Sequence, residues 1–229
     1  MKRLCVFAVI VLVCGFVGSA KSNATNLIVN GSFGTPNVGT GWSAFTSIPG
    51  WNTNGNGIEI DNPTVFGGGS MASPGNGSDQ SLEINYDYPE NVYQTVNGLT
   101  VGKTYLLSWA YGDRPDSGDD ATAVYFGGNL VTTNYDLLNG SNPTLLWSPN
   151  SFLVTATATS EVLSFDGLDY AGYNNNGGAS YGNEIDNVSL VAVTPEPSTW
   201  LLLLSGLGLL GFGLLRRRHV LAASSAISL

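Results

Sequence analysis

The stretch SLEINYDYPENVYQTVNGL, residues 81–99, indicates the fold class of this chain. Its first half places Leu82 and Ile84 two positions apart, which is the side-chain period of a β-strand with one buried face. Its second half ends in the dipeptide Asn97-Gly98, which is typical of tight turns next to strands. The stretch has no convincing helical period that continues through both halves. The stretch therefore predicts β structure.

Similar β-prone runs recur at roughly ten-residue spacing, between turns rich in Gly and Asn. They are TYLLSWAY (104–111), AVYFGGNLV (123–131), SFLVTATAT (151–159), EVLSFDGL (161–168) and NEIDNVSLVAV (183–193). Such a series is typical of a β-sandwich or a β-barrel. We expect the first apolar run, Asn26–Asn30, to pair with the last, Ile185–Val193, and so to close the sandwich. Gly, Asn and Ser predict loops at 52–57, 66–79 and 174–178.

Residues 1–20 have the pattern of a secretory signal peptide. Two basic residues precede an apolar stretch, Leu4–Val17, and small residues follow it as far as Ala20. We therefore predict cleavage after Ala20, with Ala24 as the alternative, and an exported domain that consists of residues 21–194.

The predicted domain is acidic, and it lacks the side chains that several kinds of catalysis need. It contains 16 of the 17 Asp and Glu residues but only three Lys or Arg, so its net charge is −13 and it repels nucleic acid. The chain's one histidine, His219, and its two cysteines, Cys5 and Cys14, lie outside the domain. This excludes Ser-His-Asp catalysis, Cys-His catalysis and zinc sites with His or Cys ligands.

The C-terminal part contains a predicted single transmembrane helix. Trp200–Leu215 comprises 16 uncharged residues, nine of them Leu, and a helix of this length is about 24 Å long. Flanking residues extend it towards the ~30 Å of a bilayer core. Arg216, Arg217 and Arg218 follow and stay in the cytoplasm by the positive-inside rule. Residues 220–229 are then a short cytoplasmic tail, and the acidic domain lies across the membrane.

Pro195, Glu196 and Pro197 stand directly before this apolar run. The two prolines hold the backbone extended, and an extended, exposed segment at the membrane surface is a good substrate for a protease. With the apolar span and the arginines, residues 195–219 resemble the PEP-CTERM sorting signal of Gram-negative bacteria that make extracellular polysaccharide. The resemblance implies recognition by exosortase, a membrane-embedded cysteine protease-transpeptidase, followed by removal of the tail. An unprocessed single-span anchor is the alternative.

The domain resembles a second family through short motifs in a fixed order. These are NLIVNGSFGTP (26–36), IPGWNTNGNGIEI (48–60), residues 81–115 and NEIDNVSL (183–190). They look like the DUF642-like and galactose-binding-like domains of exported bacterial and plant wall proteins. The resemblance implies an all-β jelly-roll sandwich with a non-catalytic role in association with extracellular polysaccharide. It also implies a structural calcium held by Asp186, for which a solvated aspartate at a strand end is the alternative.

Three residues are the candidates for a sugar site. Trp51 follows Ile-Pro-Gly and precedes a polar loop, so its ring is a candidate to stack on a pyranose. Glu59 is a candidate to hydrogen-bond sugar hydroxyls. Arg114 stands among several aspartates and is either a clamp for a sugar or carboxylate or one half of a structural ion pair. Trp42 and Trp147 are further aromatic candidates, whereas the apolar surroundings of Trp109 favour the core.

Glycoside hydrolysis is the form of catalysis that the composition leaves open, because it needs only two carboxylic acids. Glu59, Asp61, Glu83 and Glu184 can in principle supply such a pair, but no motif fixes their separation. We therefore expect that the protein is not an enzyme. A structural or adhesive matrix protein that binds other proteins through exposed strands is a further alternative.

Overall fold

The computed structural model describes residues 25–62, 65, 80–114, 120–135, 145–168, 181–193 and 206–208. Several predicted features lie outside these ranges: the signal peptide (1–20), Pro195–Pro197, most of Trp200–Leu215, Arg216–Arg218, residues 220–229 and the loops at 66–79 and 174–178. Among the described residues, no helix has the length and apolar character needed to cross a bilayer. The described β structure belongs to one compact unit, Ala24–Val193.

Twelve strands in the described ranges form two antiparallel sheets of six strands each. Sheet A has the order β1-β4-β5-β12-β7-β10, and sheet B has the order β2-β3-β6-β11-β8-β9. This architecture confirms the predicted all-β sandwich. The strands are β1 Trp42–Phe45, β2 Ser47–Ile48, β3 Trp51–Thr53, β4 Ile58–Asp61, β5 Ser81–Glu83, β6 Asn91–Asn97, β7 Thr104–Asp113, β8 Ala121–Phe126, β9 Asn129–Tyr135, β10 Leu146–Thr155, β11 Ser160–Leu168 and β12 Glu184–Ala192.

The core lies between the two sheets and contains side chains from both. Trp109 of sheet A meets Phe165 of sheet B edge-on, with 5.9 Å between the ring centroids. Ile60, Leu82 and Ile185 line the inner face of sheet A and are fully buried. Edge-on aromatic contacts and β-branched or leucine side chains fill such a layer without polar atoms that need partners.

The two ends of the domain lie side by side, as predicted. The Leu27 amide donates a hydrogen bond to the Leu190 carbonyl oxygen over 2.9 Å, and the Val188 amide donates to the Gly31 carbonyl oxygen over 2.8 Å. The first run nevertheless has no regular strand over residues 26–30, contrary to the prediction. Its contacts to β12 are spaced too irregularly for a ladder, since β12 itself has a register shift there.

The predicted turn at Asn97-Gly98 is present, but it does not form a hairpin. β6 ends at Asn97, and Gly98 follows with a φ of 79°. The next strand, β7, lies in the other sheet, so this turn begins a crossover between the sheets. A two-residue hairpin occurs instead at Gly127-Gly128 between β8 and β9, where φ is 57° and 77°. Positive φ at both positions is what a type I′ turn requires.

We expect Gly31→Ala to destabilise the domain, because a Cβ at this position would lie 2.1 Å from the Val188 carbonyl oxygen. β12 is held on both sides by β5 and β7, so the clash is expected to cost about 1–3 kcal/mol, as overpacking does. Gly41→Ala is the matched control, since a Cβ there meets nothing within 4 Å. Urea denaturation of the full chain in mild detergent, followed by circular dichroism, measures both. Equal midpoints would contradict the packing of Gly31 against β12.

Candidate functional site

A row of three glutamates crosses the middle of sheet A. The strand register places Glu59 of β4 opposite Glu83 of β5, and Glu83 opposite Glu184 of β12. Directly opposite residues of antiparallel strands point to the same face, with Cβ atoms about 4.5–5.5 Å apart. Ionised carboxylates in such positions repel one another, so the charge of this row needs a physical explanation.

The row lies on the outer face of sheet A, the face that points away from the core. Ile58 and Ile60, which flank Glu59, and Leu82, which precedes Glu83, all belong to the core. Since neighbours along a strand point to opposite faces, the glutamates point outward. They are buried all the same: Glu59 is 8% exposed, Glu83 1% and Glu184 0%.

Asp61 joins the row and completes what we term the acidic cluster, Glu59, Asp61, Glu83 and Glu184. It stands two positions after Glu59 on the same strand and therefore on the same face. Carboxylate oxygens of Glu59, Asp61 and Glu83 lie within 4.8 Å of one another. The four acids that the sequence offered as possible catalytic partners are thus brought together by three strands that are distant in the chain.

Arg114 faces the acidic cluster and forms an ion pair with it. Its Nη1 lies 2.6 Å from Glu83 Oε2, and the Gly182 amide donates a hydrogen bond to Glu83 Oε1 over 2.7 Å. The guanidinium also lies over the Tyr181 ring, 4.2 Å from its centroid. Of the two alternatives for Arg114, a structural ion pair is therefore present, and its partner is a glutamate on β5.

Burial raises the pKa of all three glutamates. The pKa of Glu59 rises to about 8, first through burial and then through the neighbouring charge of Asp61. Burial likewise holds the pKa of Glu83 and of Glu184 well above the usual range; the largest charge effect comes from Glu184 on Glu83 and from Asp61 on Glu184. Arg114 acts in the opposite direction on each of them. One guanidinium does not offset four carboxylates, so the cluster needs protons or another cation at neutral pH.

Trp51 does not lie near this cluster, and its predicted role in sugar stacking is wrong. It belongs to β3 of sheet B, is 0% exposed and packs against Phe33 and Phe165 at centroid distances of 5.3 and 6.0 Å. Its indole N–H donates to the Asn30 carbonyl oxygen over 3.2 Å. No face of the ring reaches solvent, so Trp51 is a core residue.

Two other tryptophans lie on the outer face of sheet A, at its two edges. Trp42 of β1 stands opposite Asp61 and is 55% exposed. Trp147 of β10 stands opposite Gly112, and a Cβ on Gly112 would lie 2.9 Å from the Trp147 ring. Both tryptophans were candidates from the sequence. The sequence alone does not show which of them is exposed, because exposure depends on which strands form the edges of the sheet.

A groove lies on the same face of the sheet, beside the acidic cluster. It has a volume of about 300 Å³ and is lined by small and polar residues: Ser108, Ala110, Pro149, Asn150, Ser151 and Asn187, with part of Trp109. Side chains of this kind offer hydrogen bonds to a polar ligand without filling the space that it needs.

Asp186 lies on β12 two positions after Glu184 and is also buried. Its Oδ1 accepts a hydrogen bond from the Asn187 amide over 2.6 Å. Asn187 has a φ of 51°, and the register between β12 and β7 shifts at this point. Asp186 thus supports a β-bulge. In the described part of the chain, the acids close enough to share an ion are Glu59, Asp61 and Glu83, and neither Glu184 nor Asp186 is among them, so a calcium at Asp186 stays a prediction.

The sequence of this chain is similar to one known sorting motif and to part of one known protein. The family described as the PEP-CTERM protein-sorting motif matches residues 193–218. Halomucin of Haloquadratum walsbyi is 32% identical over 197 residues, which are 81% of this chain but 2% of halomucin. The chain therefore spans only a small fraction of the length of that curated relative.

Two solved structures have folds that are similar to the fold of this chain. The Stig cyclase FisC of Fischerella sp. TAU is 17% identical, with a TM-score of 0.48, and the match covers 76% of this chain and all of the cyclase. A family 35 carbohydrate binding module of Clostridium thermocellum is 10% identical, with a TM-score of 0.37, and the match covers 66% and 92% of the two chains.

The match to the sorting motif confirms the sequence prediction for this part of the chain. Residues 193–218 include Pro195, Glu196 and Pro197 as well as the arginines up to Arg218. Such a motif implies export, processing by exosortase and sorting to the cell surface. The resemblance of the domain to DUF642-like proteins stays a prediction. The chain thus carries a PEP-CTERM sorting signal directly after the last strand of a β-sandwich.

Proposed function

We propose that this chain is an exported, non-catalytic protein of the cell surface or extracellular matrix that associates with extracellular polysaccharide. The observation that carries the proposal is the sorting motif over residues 193–218. The motif begins one residue after β12 ends at Ala192. The sandwich is therefore the part of the chain that the sorting signal directly follows. The −13 charge of residues 21–194 suits solubility outside the cell and disfavours nucleic acid as a partner.

Export follows from the two ends of the chain. Residues 1–20 direct the chain to the secretion machinery, and Trp200–Leu215 holds it as a membrane intermediate with Arg216–Arg218 in the cytoplasm. Exosortase then cleaves at the motif Pro195–Pro197. The product leaves the inner membrane and stays on the cell surface or in the matrix.

We expect Glu196→Ala and Pro195→Ala to block this processing, because they remove the acidic residue or one of the two prolines of the motif that the protease recognises. The tail-free product should fall to a small part of its wild-type amount, and the uncut chain should accumulate in the membrane fraction. Mass spectrometry of fractions from a host with and without its exosortase gene measures this. Val101→Ala, on an exposed turn of the domain, is the control that is processed normally. Recovery of the uncut wild-type chain from the cytosol would contradict the proposal.

The outer face of sheet A is where we place the contact with polysaccharide. Trp42 offers an exposed ring for stacking on a sugar, and the groove near Ser151 and Asn187 offers polar side chains for hydroxyls. Glu59 and Arg114, the sequence candidates for sugar contacts, lie on the same face between these two features. One face of one sheet thus combines an apolar platform with hydrogen-bonding groups.

We expect Trp42→Ala to weaken binding to the host's own exopolysaccharide by about tenfold or more, the usual effect of losing a central aromatic contact. Tyr135→Ala is the matched control: Tyr135 is 47% exposed but lies on β9, at the edge of sheet B. Co-sedimentation of the full chain with purified polysaccharide measures both variants. Equal loss for Trp42→Ala and Tyr135→Ala would contradict a site on sheet A.

One observation favours an adhesive matrix protein as the second candidate. β10 is a ten-residue edge strand, and its Leu146 and Leu153 are exposed. Exposed edges of this length accept a strand from another protein. If the wild-type chain fails to bind polysaccharide but binds other matrix proteins, this second candidate replaces the first.

Burial disfavours glycoside hydrolysis by the acidic cluster. A catalytic acid must come within hydrogen-bond distance of the glycosidic oxygen, and Glu83 and Glu184 are shielded from solvent. Only Glu59 reaches the surface in part. Release of reducing sugar by the wild-type chain, lost in Glu59→Gln, would overturn the non-catalytic proposal.

A further inference from the structure

The acidic cluster holds more negative charge than its protein surroundings offset. Fully ionised, its four carboxylates carry four negative charges, and Arg114 supplies one positive charge through Glu83. Like charges on opposite positions of neighbouring strands are unfavourable, and burial makes them more so. Something besides Arg114 must therefore neutralise the cluster: either bound protons or a bound cation.

The distances among Glu59, Asp61 and Glu83 suit a single calcium ion. Calcium binds six to eight oxygens at about 2.3–2.6 Å, so two oxygens on one ion lie at most about 5 Å apart. Carboxylate oxygens of Glu59, Asp61 and Glu83 lie within 4.8 Å of one another. Calcium also accepts irregular sets of carboxylates, whereas Mg²⁺ demands a regular octahedron and keeps several waters.

Glu184 supplies the independent observation that points to a ligand. It is fully buried, and neither of its carboxylate oxygens has a hydrogen-bond partner among the described residues. Its side chain is directed into the cluster, since it stands opposite Glu83 on the same face. Asp61 is the neighbouring charge that acts on it most strongly. The Ser81 hydroxyl is a side-chain donor close enough to lower the pKa of Glu184. This buried carboxylate, directed at three others, still has fewer donors than a buried charge needs, as is expected beside a bound cation.

Glu161 shows how one carboxylate oxygen of a buried glutamate is satisfied by donors of the protein, although its Oε2 has no hydrogen-bond partner among the described residues. It lies on β11 and is 6% exposed. Its Oε1 accepts hydrogen bonds from the Thr157 amide and hydroxyl, both over 2.6 Å, and from the Ala158 amide over 3.1 Å. Glu184 has no equivalent set of donors, although both residues belong to central strands of their sheets.

We propose that Glu59, Asp61 and Glu83 bind a calcium ion on the outer face of sheet A, and that the charge of Glu184, which stands opposite Glu83, strengthens the binding. Arg114 and the Gly182 amide hold the carboxylate of Glu83 in place. Calcium and Arg114 together leave one net negative charge, which the partly exposed Glu59 carries at the surface. The ion joins β4 and β5, so its binding stabilises the centre of sheet A. This site differs from the calcium at Asp186 that the family resemblance implies, and it does not depend on polysaccharide binding.

Calcium titration of the chelator-treated full chain tests the proposal. We expect the melting temperature, followed by circular dichroism, to rise with CaCl₂ and to saturate below about 10 mM, since extracellular calcium modules bind at about 10⁻⁴–10⁻³ M. The same concentration of MgCl₂ should raise it less, which separates site binding from general screening of an acidic protein. Calorimetry should give one calcium per chain.

The matched pair Glu184→Gln and Glu161→Gln assigns the effect to the cluster. Glu184→Gln should lower the calcium affinity at least about tenfold, whereas Glu161→Gln should lower the melting temperature but keep the calcium response. Asp186→Asn should also keep that response. If Glu184→Gln fails to fold, Glu59→Gln, at the exposed rim of the cluster, replaces it in the calorimetric measurement with the same expected loss.

Three results would overturn the proposal. In the first, the wild-type chain does not respond to calcium and Glu184→Gln is more stable than wild type, which means that protons neutralise the cluster. In the second, Glu184→Gln or its replacement keeps the full calcium response. In the third, only Asp186→Asn abolishes the response, which places the ion at Asp186.

Discussion

The alternation of side chains along β4, β5 and β12 is the constraint on which both the core and the candidate site depend. Ile60, Leu82 and Ile185 stand opposite one another on the inner face of sheet A. Their neighbours in sequence must then point outward, and Glu59 and Glu184 are among them. A register slip of one residue would place the acids in the core. Packing of the apolar residues therefore fixes the alignment of the glutamates, without any attraction among the glutamates themselves.

The acidic cluster is an unfavourable arrangement that the sheet does not need. Apolar residues of similar size on the same face would avoid the cost of burying charge, and Glu161 shows that the fold can supply backbone donors to a buried glutamate where it has one. The cluster has instead one cation, Arg114, bound through Glu83. Glu184 in particular is fully buried and stands opposite Glu83 on the same face, and this geometry is why we assign a ligand to the cluster.

The strands and the sorting signal were predictable from the sequence because both are local patterns. The runs that became β7 to β12 are β-prone segments separated by turn residues. The three parts of the sorting signal, namely Pro-Glu-Pro, the apolar run and the arginines, follow one another within Pro195–Arg218. The site was not predictable, because Glu59, Glu83 and Glu184 meet only through strand pairing. The error at Trp51 has the same cause: its polar neighbours along the chain suggested exposure, whereas Phe33 and Phe165, distant in sequence, cover its ring.

The positions of the outermost hydrogen bonds explain how processing can leave the sandwich intact. At the first end, the Asn26 carboxamide oxygen accepts a hydrogen bond from the Leu190 amide over 2.9 Å. At the last end, the Val193 amide donates to the Thr104 carbonyl oxygen over 3.1 Å. Predicted cleavage after Ala20 and beyond Val193 removes no residue that makes these bonds. Because β12 lies between β5 and β7, the last strand before the sorting signal is anchored on both sides, and loss of the tail need not loosen it.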